Sequence, residues 1–174
     1  TAYEMLRSLV GSEMCIRDSK DPTFPNGCHV CEVSIDKTTG RINIENYSAT
    51  DDFGKIINPL LVAGQVHGGI VQGLGQAMGE HAIFEEESGQ LINGSYMDYH
   101  MPRADEFPHL DLDFNEEAEC TTNMLGAKGC GEAGTVASTT AYVNAVYDAL
   151  SDYDFKELDM PITPMKVWKI INNN

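Results

Sequence analysis

The chain has 174 residues, enough for one ordinary domain, and its 42% hydrophobic content supports a packed core rather than disorder. With 27 acidic against 11 basic residues the formal net charge is −16, which argues against a nucleic-acid partner and against an anionic membrane surface. No apolar run reaches the roughly 18–20 residues of a membrane span, and the 5 scattered cysteines fit free thiols in a reducing compartment better than a disulfide scaffold.

Near the start, Ser8-Leu9-Val10-Gly11-Ser12-Glu13-Met14-Cys15-Ile16-Arg17-Asp18-Ser19 follows no foldable pattern. It resembles the translated end of a sequencing adapter. Residues 1–19 are therefore expected to be a non-native leader, with 8–19 the adapter-derived part, and residues 20–174 the domain.

Residues 29–36 alternate apolar and polar, residues 37–40 form a turn ending in Gly40, and residues 41–50 alternate again with Ile42 and Ile44 on one face. This predicts a β-hairpin, closed by Asp51-Asp52-Phe53-Gly54. Asn58-Pro59 marks a helix start, Asn as cap and Pro at the first helical position. The helix should run to about residue 80. At helical spacing Ala63, Val66, Ile70, Leu74 and Ala77 share one side, while Gln65, Gln72 and Gln76 cluster on the other. Gly64, Gly68, Gly69, Gly73, Gly75 and Gly79 each cost up to ~1 kcal/mol against Ala in a helix interior. Such a helix is expected to need close approach of another element or of a ligand.

Residues 91–99 read as a strand. Leu110, Leu112 and Phe114 alternate with Asp111 and Asp113, predicting a strand with one wet face. A Gly-rich loop over 126–134 precedes a second helix reaching about residue 150. Thr163 and Pro164 then start a short last helix. Neither repeats nor low-complexity linkers interrupt the chain, so the class is α+β.

The sharpest chemical feature is Gly126-Ala127-Lys128-Gly129-Cys130-Gly131-Glu132-Ala133-Gly134. Glycines let a backbone approach a bulky polar ligand, and the following helix adds the positive end of its dipole. Lys128 supplies a charge. Glu132 lies at the loop–helix junction, where a carboxylate buried among glycines could serve as a base. The same residues also fit an ordinary loop-to-helix junction with Glu132 as a first-turn acid. A nicotinamide fingerprint would need a βαβ setting that the flanking segments do not show. The Gln stripe can hydrogen-bond a cofactor or simply face solvent. Cys28-His29-Val30-Cys31 has zinc-like spacing but lacks a second ligand pair, and no side-chain metal ligand is assigned. Cys130 reads as a small filler.

Four stretches together resemble the large subunit of the molybdenum hydroxylases, the family of xanthine dehydrogenase, aldehyde oxidase and aerobic carbon-monoxide dehydrogenase. They are Phe24-Pro25-Asn26-Gly27; Ile56-Ile57-Asn58-Pro59 leading into Gly64-Gln65-Val66-His67-Gly68-Gly69-Ile70-Val71-Gln72-Gly73; Asp98-Tyr99-His100-Met101-Pro102-Arg103; and residues 125–134. Met124 stands where that family usually has Pro, and Cys130 where a small aliphatic residue is commoner. The resemblance implies the C-terminal half of the molybdopterin-binding region, with mixed strands packed on two main helices. It implies that Glu132 is the catalytic base activating a water-derived nucleophile beside the molybdenum, and that Gln65, Lys128, Gly129 and Gly131 are cofactor-binding. It further implies a molybdenum–molybdopterin cofactor in the cytosine dinucleotide form. Iron–sulfur clusters and FAD would sit on partner subunits or domains, in a hetero-oligomer. A small molecule, an aldehyde, an N-heterocycle or carbon monoxide, would be the substrate. The compartment expected is the cytoplasm, with the periplasm left open. The alternative is a non-catalytic stand-alone cofactor-binding or assembly module of the same fold.

Overall fold

Residues 22–172 are described by a computed structural model; the leader assigned to residues 1–19 lies outside them. The alternating segments pair as expected. Strand β1 (Asn26–Ile35) runs antiparallel to β2 (Ile42–Asp52), with one irregularity of register between Glu32 and Val33. Strand β2 continues through Asp51 and Asp52, where the sequence suggested a closing turn. Its inward residues Ile42, Ile44, Tyr47 and Ala49 are buried.

Helix α1 (Pro59–Met78) starts as its sequence dictates: Asn58 Oδ1 accepts the Leu61 N–H at 3.2 Å. Val66, Ile70, Leu74 and Ala77 are all 0% exposed, whereas Gln65, Gln72 and Gln76 face outward. The 3.6-residue period thus separates a core face from a polar face. After α1 a long excursion over residues 79–109, including a single 3-10 turn at Ala104–Glu106, returns the chain to the sheet. Strand β3 (Leu110–Asn115) then adds to the free side of β2 in parallel, Tyr47 opposite Leu110 and Asp52 opposite Asn115. A parallel neighbour requires such a crossover.

Helix α2 (Ala133–Ala149) packs along α1 and across β1. Its Tyr142 and Val146 join the core, together with Leu150 just beyond it. Helix α3 (Pro164–Asn172) begins on the Thr163 carbonyl, which accepts from Lys166 and Val167, and Val167 plugs the same core. A mixed three-stranded sheet with helices packed on it is an α+β fold, as expected. No helix among the described residues is long and apolar enough to cross a membrane.

One predicted element is corrected. Residues 91–99 form no strand; only Leu91 makes a bridge, to Phe84. Alternation there does not match burial, because Ile92, Tyr96 and Met97 are exposed and Asn93 is the buried residue. The Asn93 side chain accepts from the Ile83 N–H at 2.8 Å and donates to the His81 carbonyl at 2.5 Å. The Asp98 and Tyr99 N–H groups then fold back onto the Ser95 carbonyl. Local turn bonding has replaced the ladder.

Candidate active site

The Gly-rich loop is bound at its back to the end of β2. Gly54 and Gly126 face each other, both with positive φ (59° and 67°). A Cβ on Gly54 would lie 2.1 Å from the Gly126 carbonyl oxygen, so only glycine permits this approach. The Gly126 carbonyl accepts from the N–H groups of Lys55 and Cys120, and the Lys128 N–H donates to the Phe53 carbonyl at 2.7 Å. Asn123 closes the loop on itself, donating to the Ala127 carbonyl and accepting from the N–H groups of Leu125 and Ala127.

Lys128 is turned inward. Its ammonium lies 2.8 Å from Asp52 Oδ2, with the two side chains only 10% and 7% exposed, and 3.4 Å from Asn26 Oδ1. The other carboxylate oxygen of Asp52 accepts the Gly54 N–H at 2.7 Å. Burial alone would raise the Asp52 carboxyl. The hydrogen bonds from Lys128 and Gly54, with the charge of Lys128, outweigh burial and hold it below its ordinary value. The expected charge in the loop is therefore neutralised from behind. The neighbouring carboxylate, Asp51, points to the other face of the strand, where it accepts from buried His29 at 3.2 Å; the other ring nitrogen of His29 meets the Tyr47 hydroxyl at 2.7 Å.

The front of the loop meets α1. Gln65 Nε2 donates to the Gly131 carbonyl at 2.8 Å, so the Gln predicted at the site and the residue preceding Glu132 are in direct contact. Gly129 donates its N–H to Thr23 Oγ1 at 3.1 Å. Glu132 caps α2, and its carbonyl accepts the Val136 N–H. Its side chain is exposed among the described residues, where the sequence suggested a carboxylate buried among glycines. Around it, Gly64, Gly68 and Gly131 would each accept a Cβ with nothing within 4 Å. Gly131 cannot shield its neighbour, because it has no side chain. Cys130 is half-buried, and burial pushes its thiol up, which fits a filler rather than a nucleophile. His67 is tied to its own helix, Nδ1 donating to the Ala63 carbonyl at 2.7 Å.

Sequence reasoning missed Asp52, Asn123 and Thr23, all of which shape this loop. The adjacent carboxylates Asp51 and Asp52 carried a signal, but for the other member of the pair. Alternation puts Asp51 on the face of buried Tyr47 and Ala49, so the pair of carboxylates signals a buried partner for Asp51, His29, and only the burial of the opposite face as well brings Asp52 to Lys128.

The family model of the molybdopterin cofactor-binding domain matches residues 3–108. The chain belongs to the molybdopterin cofactor-binding family of the molybdenum hydroxylase large subunits. It is 36% identical over 157 residues to the carbon monoxide dehydrogenase large chain of Hydrogenophaga pseudoflava, covering 90% of this chain and 19% of that one. It is 37% identical over 150 residues to the nicotine 6-hydroxylase large subunit of Paenarthrobacter nicotinovorans, covering 86% and 18%. The crystal structure of quinoline 2-oxidoreductase from Pseudomonas putida 86 superposes with a TM-score of 0.79 at 34% identity, over 84% of this chain and 18% of that one. The chain thus spans about a fifth of the length of the curated relatives it matches. The family match includes Gln65 and ends before the Gly-rich loop.

The residues present fit a polar cofactor. The face bearing Gly64, Gly68 and Gly131 has room where side chains would otherwise stand. Exposed Gln65, Gln72 and Glu132 supply amide and carboxylate groups there. The first turn of α2 offers N–H groups that have no intrahelical partner.

Proposed function

We propose that this chain supplies one wall of the active site of a molybdopterin-dependent dehydrogenase that hydroxylates an aldehyde or N-heterocycle, or oxidises carbon monoxide, with water as the oxygen source. The observation that carries this reading is the Gln65 contact with Gly131. It joins the polar face of α1 to the loop that ends in Glu132, on the side of the molecule that glycines leave open.

When bound, the molybdenum cofactor supplies the two-electron redox chemistry. The chain's own residues do the rest. Glu132 accepts the proton of the water-derived nucleophile on its carboxylate oxygen. Its main chain is fixed by the start of α2, so the base need not be reoriented for each turnover. Gln65 orients the loop through its Nε2 and offers its carbonyl oxygen as an acceptor to the cofactor. Gly129 and Gly131 give the cofactor access to the backbone, and Lys128 shapes the loop from behind.

The cytosine dinucleotide form of the cofactor, iron–sulfur and FAD-binding partner subunits in a hetero-oligomer, and a cytoplasmic location belong to the same proposal. So does the division at residue 19, with 8–19 of adapter origin. The three relatives named above carry carbon monoxide, nicotine and quinoline in their names and share this segment at 34–37% identity. This supports a segment that supplies common machinery, with substrate choice made by other parts of the enzyme.

The test is Glu132→Gln in the complete enzyme. Loss of a general base costs about 10²–10⁴-fold in rate, so turnover should fall by at least ~100-fold while molybdenum content stays unchanged. Full turnover in a loaded variant would remove Glu132 from the mechanism and leave a non-catalytic module as the better reading.

A further inference from the structure

We propose that Asp52 is a positioning residue for Glu132, acting through Lys128. The inference rests on the assignment of Glu132 as the base.

A loop with glycine at 126, 129, 131 and 134 has little conformational preference of its own. Whatever fixes the Glu132 backbone must come from contacts along the segment 128–134. At the far end Gly134 rests on α1: a Cβ there would lie 2.6 Å from the Val66 carbonyl oxygen. Between the ends, Gly129 is held by Thr23 and Gly131 by Gln65, each through one neutral hydrogen bond. At the near end Lys128 is held by its N–H on Phe53 and by its ammonium on Asp52, with a longer contact to Asn26 Oδ1. The contact with Asp52 is the charged one, and it is buried.

Asp52 is well placed to act as an anchor. It is the last residue of β2, and its second oxygen is already engaged by the Gly54 N–H. The carboxylate therefore cannot swing to follow Lys128, so Lys128 must come to it. A charge-assisted bond of this kind is short and directional. Without the carboxylate, the ammonium would be buried and unpaired, and it would escape toward solvent. Gly129, Cys130 and Gly131 separate Lys128 from Glu132, and two of these three are glycines each held by a single neutral hydrogen bond, so a displaced Lys128 redirects the loop that leads into Glu132.

The experiment is done in the complete, molybdenum-loaded enzyme with Asp52→Asn, Lys128→Met, the double variant and Lys128→Arg. A misplacement of about 1 Å can cost roughly 100-fold in rate. Each of the first two should therefore lower kcat by about 10–100-fold, with KM and molybdenum content within about twofold of wild type. The double variant should be no slower than either single one, since both act through the same pair. Lys128→Arg, which keeps the pair, should recover most of kcat. Independently of activity, amide hydrogen exchange should accelerate at residues 128–132 in Asp52→Asn and stay unchanged in α1. If Asp52→Asn does not fold, the double variant carries the test, because it leaves no charge unpaired.

Wild-type kcat in Asp52→Asn overturns the proposal. So does loss of molybdenum in step with kcat, or additive effects in the double variant. Failure of the underlying reading looks different: Glu132→Gln would then turn over normally. An inactive Glu132→Gln beside a fully active Asp52→Asn refutes only the positioning role.

Discussion

The Gly-rich loop has a back and a front, and they are built on opposite principles. At the back, the polar groups of the segment find partners inside the protein: Lys128 with Asp52, the Gly126 carbonyl with two N–H groups, Asn123 with its own loop. Helix α1 repeats the contrast. Its inward glycines, Gly69 and Gly73, are there because α2 lies against them; a Cβ on Gly73 would meet Ser138 Oγ at 2.2 Å and the Thr135 carbonyl oxygen at 2.6 Å. Thr135 and Thr139 use this closeness to donate to the Gly69 and Gly73 carbonyls. Its outward glycines, Gly64 and Gly68, touch nothing. One residue type on one helix therefore serves two ends. A glycine packed against backbone contributes to the fold, whereas a glycine with no neighbour in this chain costs helix stability and leaves room for the cofactor proposed above.

Changes at the back should then act on stability, and the largest is Asp52→Asn. Removing one partner of a buried pair strands the other charge, at a cost of roughly 3 kcal/mol for this incompletely buried case. The pH dependence sharpens this. The Asp52 carboxyl is held below its ordinary value of 3.8, so its contribution is full above that pH and is lost as the pH falls through the lowered folded-state value. Melting temperatures of wild type and Asp52→Asn should differ most near pH 7 and converge below about 3.8. Curves that keep the same separation down to acid would show that the ionised pair is not the source of the difference.

Gly73→Ala comes next. The Cβ would need to displace a buried hydroxyl and a backbone carbonyl, and such overpacking costs typically ~1–3 kcal/mol. For a chain of this size that is a drop of roughly 2–4 °C in melting temperature per kcal/mol. An unchanged melting temperature would mean that α1 and α2 can separate without penalty, and the close-packing account of the inward glycines would fail.

The parts of this arrangement that were legible in the sequence are those written locally. Asn58 and Pro59 announce the start of α1, and the spacing of Val66, Ile70, Leu74 and Ala77 gives its buried face. The crowding of glycines around Lys128 marks the loop without any knowledge of its surroundings. What the sequence hid is non-local. The partner of Lys128 stands 76 positions away at the end of a strand, and no spacing rule connects them. Residues 91–99 failed for the complementary reason: alternation describes a strand only when a second strand is present to pair with it, and here Asn93 bonds to the chain around residues 81–83 instead.

The front of the molecule should respond to mutation with little change in stability, and Gly64→Ala and Gly68→Ala are the smallest effects expected. Each new methyl would enter open space, and Ala is the better helix former by up to about 1 kcal/mol. The melting temperature of the chain should therefore hold or rise slightly, the opposite sign to Gly73→Ala. In the complete enzyme the same methyl groups would stand on the face assigned to the cofactor, so molybdenum content should fall although the domain is no less stable. A stability gain together with full molybdenum content would place the cofactor elsewhere, and the outward glycines would then lose the only role that explains their cost to the helix.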